Sequence, residues 1–281
     1  MNNFVYDYFD LLKDTDRLKS IGCSGNIGRT ALGLPIPSLT VGRGIPRALI
    51  FGAVHAREWL TAALVIKLAE EYAGEEAILF VPMVNIDGVQ LSLYGLDAEY
   101  GDAAADAEFK RRKEYLLEIN GGSRDFSLWK ANIRGTDINV NFPMDWGNGA
   151  SNRNRPSSES YIGTEASSEP ETKALLRAAG GIRAAVSYHT KGEVIYHGYG
   201  ERLQTEQALP FSGVTGYPLA ESKGSAGGFK DWFVGTGLGF ALTIEVGSDA
   251  LPHPLDLREL EGVYRQNGNI PALIAKAAHN V

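Results

Sequence analysis

The sequence predicts an α/β protein, a single-domain sandwich with a mixed, mostly parallel central sheet and helices on both faces. Three observations lead there. Short apolar, β-rich runs alternate with segments of helical periodicity, and no low-complexity linker or internal repeat divides the chain. The 281 residues, 44% hydrophobic and 22% charged, also suffice for one large core without staples. The expected domain therefore spans residues 1–281.

Residues 47–54 (RALIFGAV) read as a buried strand, because apolar positions run together. Residues 59–73 (WLTAALVIKLAEEYA) set apolar positions at helical spacing with acids opposite, so a strand feeds a helix. Residues 77–85 (AILFVPMVN) read as the next buried strand, and Asp87-Gly88 as the turn closing it. Residues 96–127 are polar and partly helical, and their basic run Lys110-Arg111-Arg112-Lys113 reads as a solvated helix face. Residues 144–168, rich in Asn, Ser, Gly and Pro, read as a binding loop. Residues 169–179 (EPETKALLRAA) predict a helix with Pro170 in its first turn and Gly180-Gly181 at its end. IRAAVSYH (182–189) and GFALTIEVG (239–247) predict two more strands, and residues 255–278 a closing helical segment.

Composition narrows the function classes. With 27 Lys plus Arg against 34 Asp plus Glu, the net charge is −7, which disfavours a nucleic-acid partner. Cys23 is the lone cysteine; it excludes an internal disulfide and a cysteine-rich metal cluster, and it fits a reducing compartment. The first twenty residues are acidic and amphipathic rather than basic then apolar, and no apolar run has the length of a bilayer span. The expectation is a cytoplasmic protein with no membrane partner, unless a leader was removed.

Five histidines occur, at positions 55, 189, 197, 253 and 279. His55 and Glu58 stand three apart where the first strong strand gives way to its helix. In an open α/β sheet, ligand-binding groups gather beyond the carboxyl ends of strands. A His and a Glu at such a turn can both face the crevice and hold a zinc ion, although a lone His-x-x-Glu also describes a capping or core histidine. His189 ends another strand, and Glu245 lies inside a third. Two histidines and a carboxylate are the protein ligands of many catalytic zinc sites, and Glu245 is then a spare acid. A carboxylate in an apolar strand needs a partner or a use, and beside an activated water it can accept a proton. His197, His253 and His279 read as structural or exposed.

HAREW, NIDGV, WKANIRGTDIN, SYHTKG, SAGGFKDW and TIEVG occur in an order and spacing that resemble the zinc carboxypeptidase (carboxypeptidase A-like) family, over nearly the whole chain. The details look most like its bacterial branch of γ-D-glutamyl-meso-diaminopimelate peptidases. The resemblance implies one Zn2+ per chain held by His55, Glu58 and His189, with Glu245 as general base. It implies that Arg134 steadies the oxyanion, that Asp137 orients the first zinc histidine, and that Arg57 and Asn139 bind substrate.

Two departures bear on specificity. Family members that trim C-terminal residues carry Arg after the Asn of the Asp-x-Asn motif, and this chain has Val140 there. Lys223 falls where those enzymes have a mobile Tyr. An ordinary terminal carboxylate would be held poorly, since Val supplies neither charge nor donors. The expected substrate is a peptidoglycan stem peptide, cut between γ-D-Glu and diaminopimelate, with Arg57, Lys223, Arg153 or Arg155 meeting its extra charges. The alternatives are a zinc carboxypeptidase trimming ordinary peptides and a catalytically inactive module that binds cell-wall peptides. Tyr196, Tyr199, Tyr217 and Asp231 are further cleft candidates, each with an ordinary packing or capping reading beside it.

Overall fold

The computed structural model describes residues 4–279. It opens with helix α1 (Tyr8–Arg17), followed by the antiparallel strands β1 (Gly22–Arg29) and β2 (Pro35–Val41). Asp7 caps α1: its carboxylate accepts from the amide of Asp10, whose own carboxylate accepts from the Asp7 amide. Strand β3 (Arg43–Phe51) leads through a 3-10 turn (Ala56–Glu58) into α2 (Leu60–Glu71). Strand β4 (Glu76–Val81) leads into α3 (Ile86–Tyr94), and α4 (Ala103–Ile119) follows. A long irregular stretch, broken by a 3-10 turn at Ile138–Val140, then reaches α5 (Pro170–Ala178) and β5 (Ala184–Thr190). The remainder comprises β6 (Val194–His197), α6 (Thr205–Thr215), β7 (Leu219–Glu221), α7 (Phe229–Gly235), β8 (Phe240–Val246), α8 (Leu260–Asn267) and α9 (Ile270–His279).

All eight strands form one open, mixed sheet in the order β1-β2-β4-β3-β5-β8-β6-β7. Its centre, β4-β3-β5-β8, is parallel, while β2 and β6 join that centre antiparallel. Every residue of β5 is buried, as a strand covered on both faces must be. Helices α2 and α9 pack on β3, α7 on β8, and α5 on β1. Leu60, Leu64, Val65 and Leu68 of α2 are fully buried or nearly so, each contributing about 1.5–3 kcal/mol of apolar burial. The basic run of α4 is a solvated face: Lys110 and Arg111 are exposed, and Arg111 and Arg112 pair with Glu108.

One expectation is corrected. Asp87-Gly88 does not close β4 as a turn; both residues lie in the first turn of α3. The Asn85 side chain accepts from the Gly88 amide and starts the helix, and a Cβ at Gly88 would lie 2.6 Å from Ala131 O. Asp87 accepts from the Leu32 amide instead of turning the chain. The glycine permits close packing, not a reversal.

Candidate active site

The site lies at the carboxyl ends of the central parallel strands. β3 ends at Phe51, and Gly52 follows where a Cβ would come within 2.8 Å of Thr61 O. Ala53 then takes the left-handed conformation at φ +46°, which costs a residue with a side chain about 1–2 kcal/mol. Its neighbours hold it there: Ala53 N donates to Thr61 Oγ1 (2.7 Å), and Asn85 N donates to Ala53 O (2.9 Å). The chain is thereby turned so that His55 precedes a 3-10 turn, which brings Glu58 back onto it. His55 Nδ1 lies 2.9 Å from Glu58 Oε1.

His189 enters from β5. Its Nδ1 is 3.1 Å from Glu58 Oε2 and 3.1 Å from His55 Nδ1. One ligand atom from each of His55, Glu58 and His189 lies within 4.8 Å of the others, and all three residues are buried. The outer ring nitrogens are engaged: His55 Nε2 is 3.2 Å from Asp137 Oδ1, and His189 Nε2 is 2.9 Å from Ser187 Oγ. Both Nδ1 atoms are thus turned to the shared centre. Burial lowers the His189 pKa; burial also opposes charge on His55, but Glu58 and Asp137 outweigh it and push that ring up to about 9. Burial works against the Glu58 carboxylate too, yet the two histidines hold it well below its usual value. Two imidazoles and a carboxylate converging on one point are the donor set of a catalytic zinc site.

Glu245 stands opposite His189 in the register of β5 and β8. It is deeply set but keeps part of its surface open to the cleft, and burial, then the nearby Glu58, push its carboxyl up to about 8. Two adjoining chambers share Glu245, Asn139, Lys223 and Ser225. The first, about 370 Å3, also touches His55, Lys130, Asp137 and Val140. The second, about 390 Å3, extends to Tyr196, Thr243, Lys230 and Asp231.

Not every expected residue joins them. Arg134 lines neither chamber; its Nη1 is 3.8 Å from Glu169 Oε2, and its side chain is 43% exposed. Arg57 donates to Leu128 O at 3.2 Å and also lines neither. Arg153 pairs with Glu159, Tyr199 donates to Asp145, and Tyr217 to Gln266. Arg155 is exposed and lines neither chamber. His197 is buried against Leu203 O, and His279 is exposed. His253 is half-buried; burial, then Arg57, lower its pKa to about 4.

The residue that sequence reasoning missed is Lys130. It lines the first chamber, with Nζ 3.8 Å from Asp137 Oδ2, and its carbonyl accepts from the Ala56 amide, directly after His55. Trp129 and Ala131 on either side of it are buried, and the Lys130 side chain itself is only 20% exposed.

Residues 10–218 match the zinc carboxypeptidase family. The chain belongs to that family. It is 30% identical over 289 residues to gamma-D-glutamyl-L-diamino acid endopeptidase 1 of Lysinibacillus sphaericus, covering 93% of this chain and 70% of that protein. Bovine thrombin-activatable fibrinolysis inhibitor has a similar fold, with TM-score 0.72 and 20% identity over 99% of this chain and 98% of that one. So does murein-tripeptide amidase of Escherichia coli O157, with TM-score 0.55 and 21% identity over 89% of this chain and 91% of that one. As a zinc carboxypeptidase family member the chain is a metallopeptidase with zinc as cofactor. Its own residues fit that ion, because three donor atoms converge while the other ring nitrogens are occupied elsewhere.

Proposed function

We propose that the chain acts as one zinc peptidase unit and hydrolyses the amide between γ-D-glutamyl and diaminopimelyl residues of peptidoglycan-derived peptides. The zinc site and base serve any peptide amide; Val140 carries the choice of substrate. It sits in the cleft where relatives that trim ordinary C-termini place an arginine, so the clamp for a terminal carboxylate is missing. The relative from Lysinibacillus, named for γ-D-glutamyl-L-diamino acid substrates, supports the same reading. The exposed lone Cys23 fits a cytoplasmic setting.

In this reading His55, Glu58 and His189 hold the ion, which supplies Lewis-acid chemistry, making water more acidic and polarising a carbonyl. Asp137 fixes the His55 ring so that Nδ1 offers its lone pair. Glu245 takes a proton from the attacking water and returns it to the leaving amine. The raised affinity of its carboxyl for protons, caused first by burial, suits that exchange. A cation must steady the negative charge that develops on the carbonyl oxygen. Lys130, in the chamber, is better placed for this than Arg134, which is drawn toward Glu169. Asn139 and Lys223, which line both chambers together with Glu245, contact substrate there.

The test is a pair of substrates on one zinc-loaded preparation: an L-Ala-γ-D-Glu-meso-diaminopimelate tripeptide and an N-blocked ordinary dipeptide. Cleavage of the tripeptide with little or none of the dipeptide is expected. Turnover of the dipeptide alone identifies a carboxypeptidase, and turnover of neither favours a binding module.

A further inference from the structure

Lys130 and Asp137 reach the site from the two arms of one turn, and the middle of that turn is filled by a side chain that lines neither chamber. Asn132 is fully buried. Its amide donates to Thr136 O at 2.8 Å and its carbonyl accepts from the Gly135 amide at 3.0 Å, so residues 132–136 close on themselves. Its carboxamide occupies the inside. Oδ1 accepts from the amides of Arg134 (3.0 Å) and Thr136 (3.1 Å), while Nδ2 donates to Glu169 Oε2 (2.7 Å) and Glu171 Oε2 (3.2 Å). Both donors and both acceptor sites of the group are in use. A carboxylate of the same size could not donate, and a longer carboxamide would not fit inside so short a turn.

The anchor beneath it is costly. Glu169, Glu171 and Asp87 are no more than 3% exposed, and Arg134 comes no nearer to Glu169 than 3.8 Å. Carboxyl groups taken this far from water need a return. Glu171 Oε1 accepts from the Ala31 amide and Asp87 Oδ2 from the Leu32 amide, both at 2.8 Å, so the acids tie the turn to α5, α3 and the β1–β2 connection. Asn85 holds the first arm at Ala131 O, and the Ser160 amide holds the second at Asp137 Oδ2. Asn132 joins one arm to the other. What the junction fixes is the 3.8 Å approach of Lys130 Nζ to Asp137 Oδ2, whose other oxygen meets His55.

We propose that Asn132 is a positioning residue for the reaction: anchored on Glu169 and Glu171, it sets the Lys130 ammonium against Asp137 and the His55 ring. The proposal rests on the roles given to Lys130 and Asp137 above and adds what holds them in place.

The test is Asn132→Asp, which keeps the oxygen that serves the turn amides and removes both donors. On the L-Ala-γ-D-Glu-meso-diaminopimelate tripeptide, kcat per bound zinc should fall by roughly 10- to 100-fold with KM within about threefold, since a misplacement of about 1 Å can cost that much. Chelator competition should show zinc held roughly tenfold more weakly, because Asp137 orients His55 less firmly. In a Lys130→Ala background the same substitution should change kcat by less than about threefold, and in an Asp137→Asn background zinc affinity by less than about threefold, because it acts through those residues. Exchanging donor and acceptor, Asn132→Asp with Glu169→Gln, should recover most of the rate. Glu171, pushed up to about 8 by burial, then by Asp87 and Glu169, keeps its proton at neutral pH and can donate it to the new carboxylate. Asn132→Ser, smaller and uncharged, serves in the same comparisons if the first variant folds poorly. Coupling to either residue upholds the proposal. Losses of equal size in the parent and both backgrounds, or a lower Tm with kcat and zinc affinity unchanged, overturn it. If the parent leaves the tripeptide intact, or Lys130→Ala costs nothing, the substrate or oxyanion reading fails, and the zinc comparison alone decides for Asn132.

Discussion

His189 and Glu245 are direct partners across the parallel strands β5 and β8. Neighbouring strands lie about 4.8 Å apart, so the sheet sets the proposed metal ligand and the proposed general base side by side without relying on a loop. Glu245→Gln should therefore keep its zinc while kcat falls by roughly 10²–10⁴. Metal analysis and turnover on the same sample check this, and loss of zinc with activity would make Glu245 a ligand rather than the base.

His189→Ala should lose zinc and activity together. Asp137→Asn should weaken zinc binding by roughly 10- to 100-fold, because the carboxylate that fixes the His55 tautomer is gone. Chelator competition measures both; unchanged zinc stoichiometry in the alanine variant removes His189 from the site.

Lys130→Ala should lower kcat by roughly 10²–10³ if its ammonium steadies the developing oxyanion, with partial recovery in Lys130→Arg. Arg134→Ala, at a position that lines neither chamber, should cost less than about tenfold. The opposite ranking returns the oxyanion role to Arg134.

Val140→Arg should raise kcat/KM on ordinary C-terminal dipeptides by about tenfold or more, since a guanidinium restores a charge-assisted clamp. No gain would mean that the missing arginine does not decide specificity.

Glu171 allows a stability test away from the metal. It is fully buried, and burial, then the charges of Asp87 and Glu169, push its carboxyl from 4.5 up to about 8. Between those values the unfolded chain releases this proton while the folded one keeps it. The contribution of this group is intact below about pH 4.5 and is lost as pH rises toward about 8. Glu171→Gln removes the titration, so the Tm of the variant relative to the parent should rise across that window. A difference that stays flat or falls contradicts the buried, protonated state.

Much of this was legible in local pattern. His55 and Glu58 are close in sequence and sit at a strand-to-helix switch, so their pairing could be read directly. His189 and Glu245 could be read as belonging to strands, but their register depends on a parallel pairing that connects distant segments. The edge strand β1 was invisible because Gly22, Gly25 and Gly28 dilute its β signal; Gly28 is there because a Cβ would lie 2.7 Å from Ala174 Cβ on α5. Asp87-Gly88 misled for a related reason, since close packing and chain reversal both call for glycine. Arg134 was assigned from the family resemblance alone, and only the packing of the loop shows that Lys130 lines the cleft while Arg134 pairs with Glu169.

The most direct test measures zinc content and hydrolysis of L-Ala-γ-D-Glu-meso-diaminopimelate on one preparation, before and after chelation. The account predicts one zinc per chain, release of free diaminopimelate, and loss of both on chelation with recovery on adding zinc back. Full hydrolysis by the metal-free protein, or a zinc-loaded protein that leaves this amide intact, would contradict it.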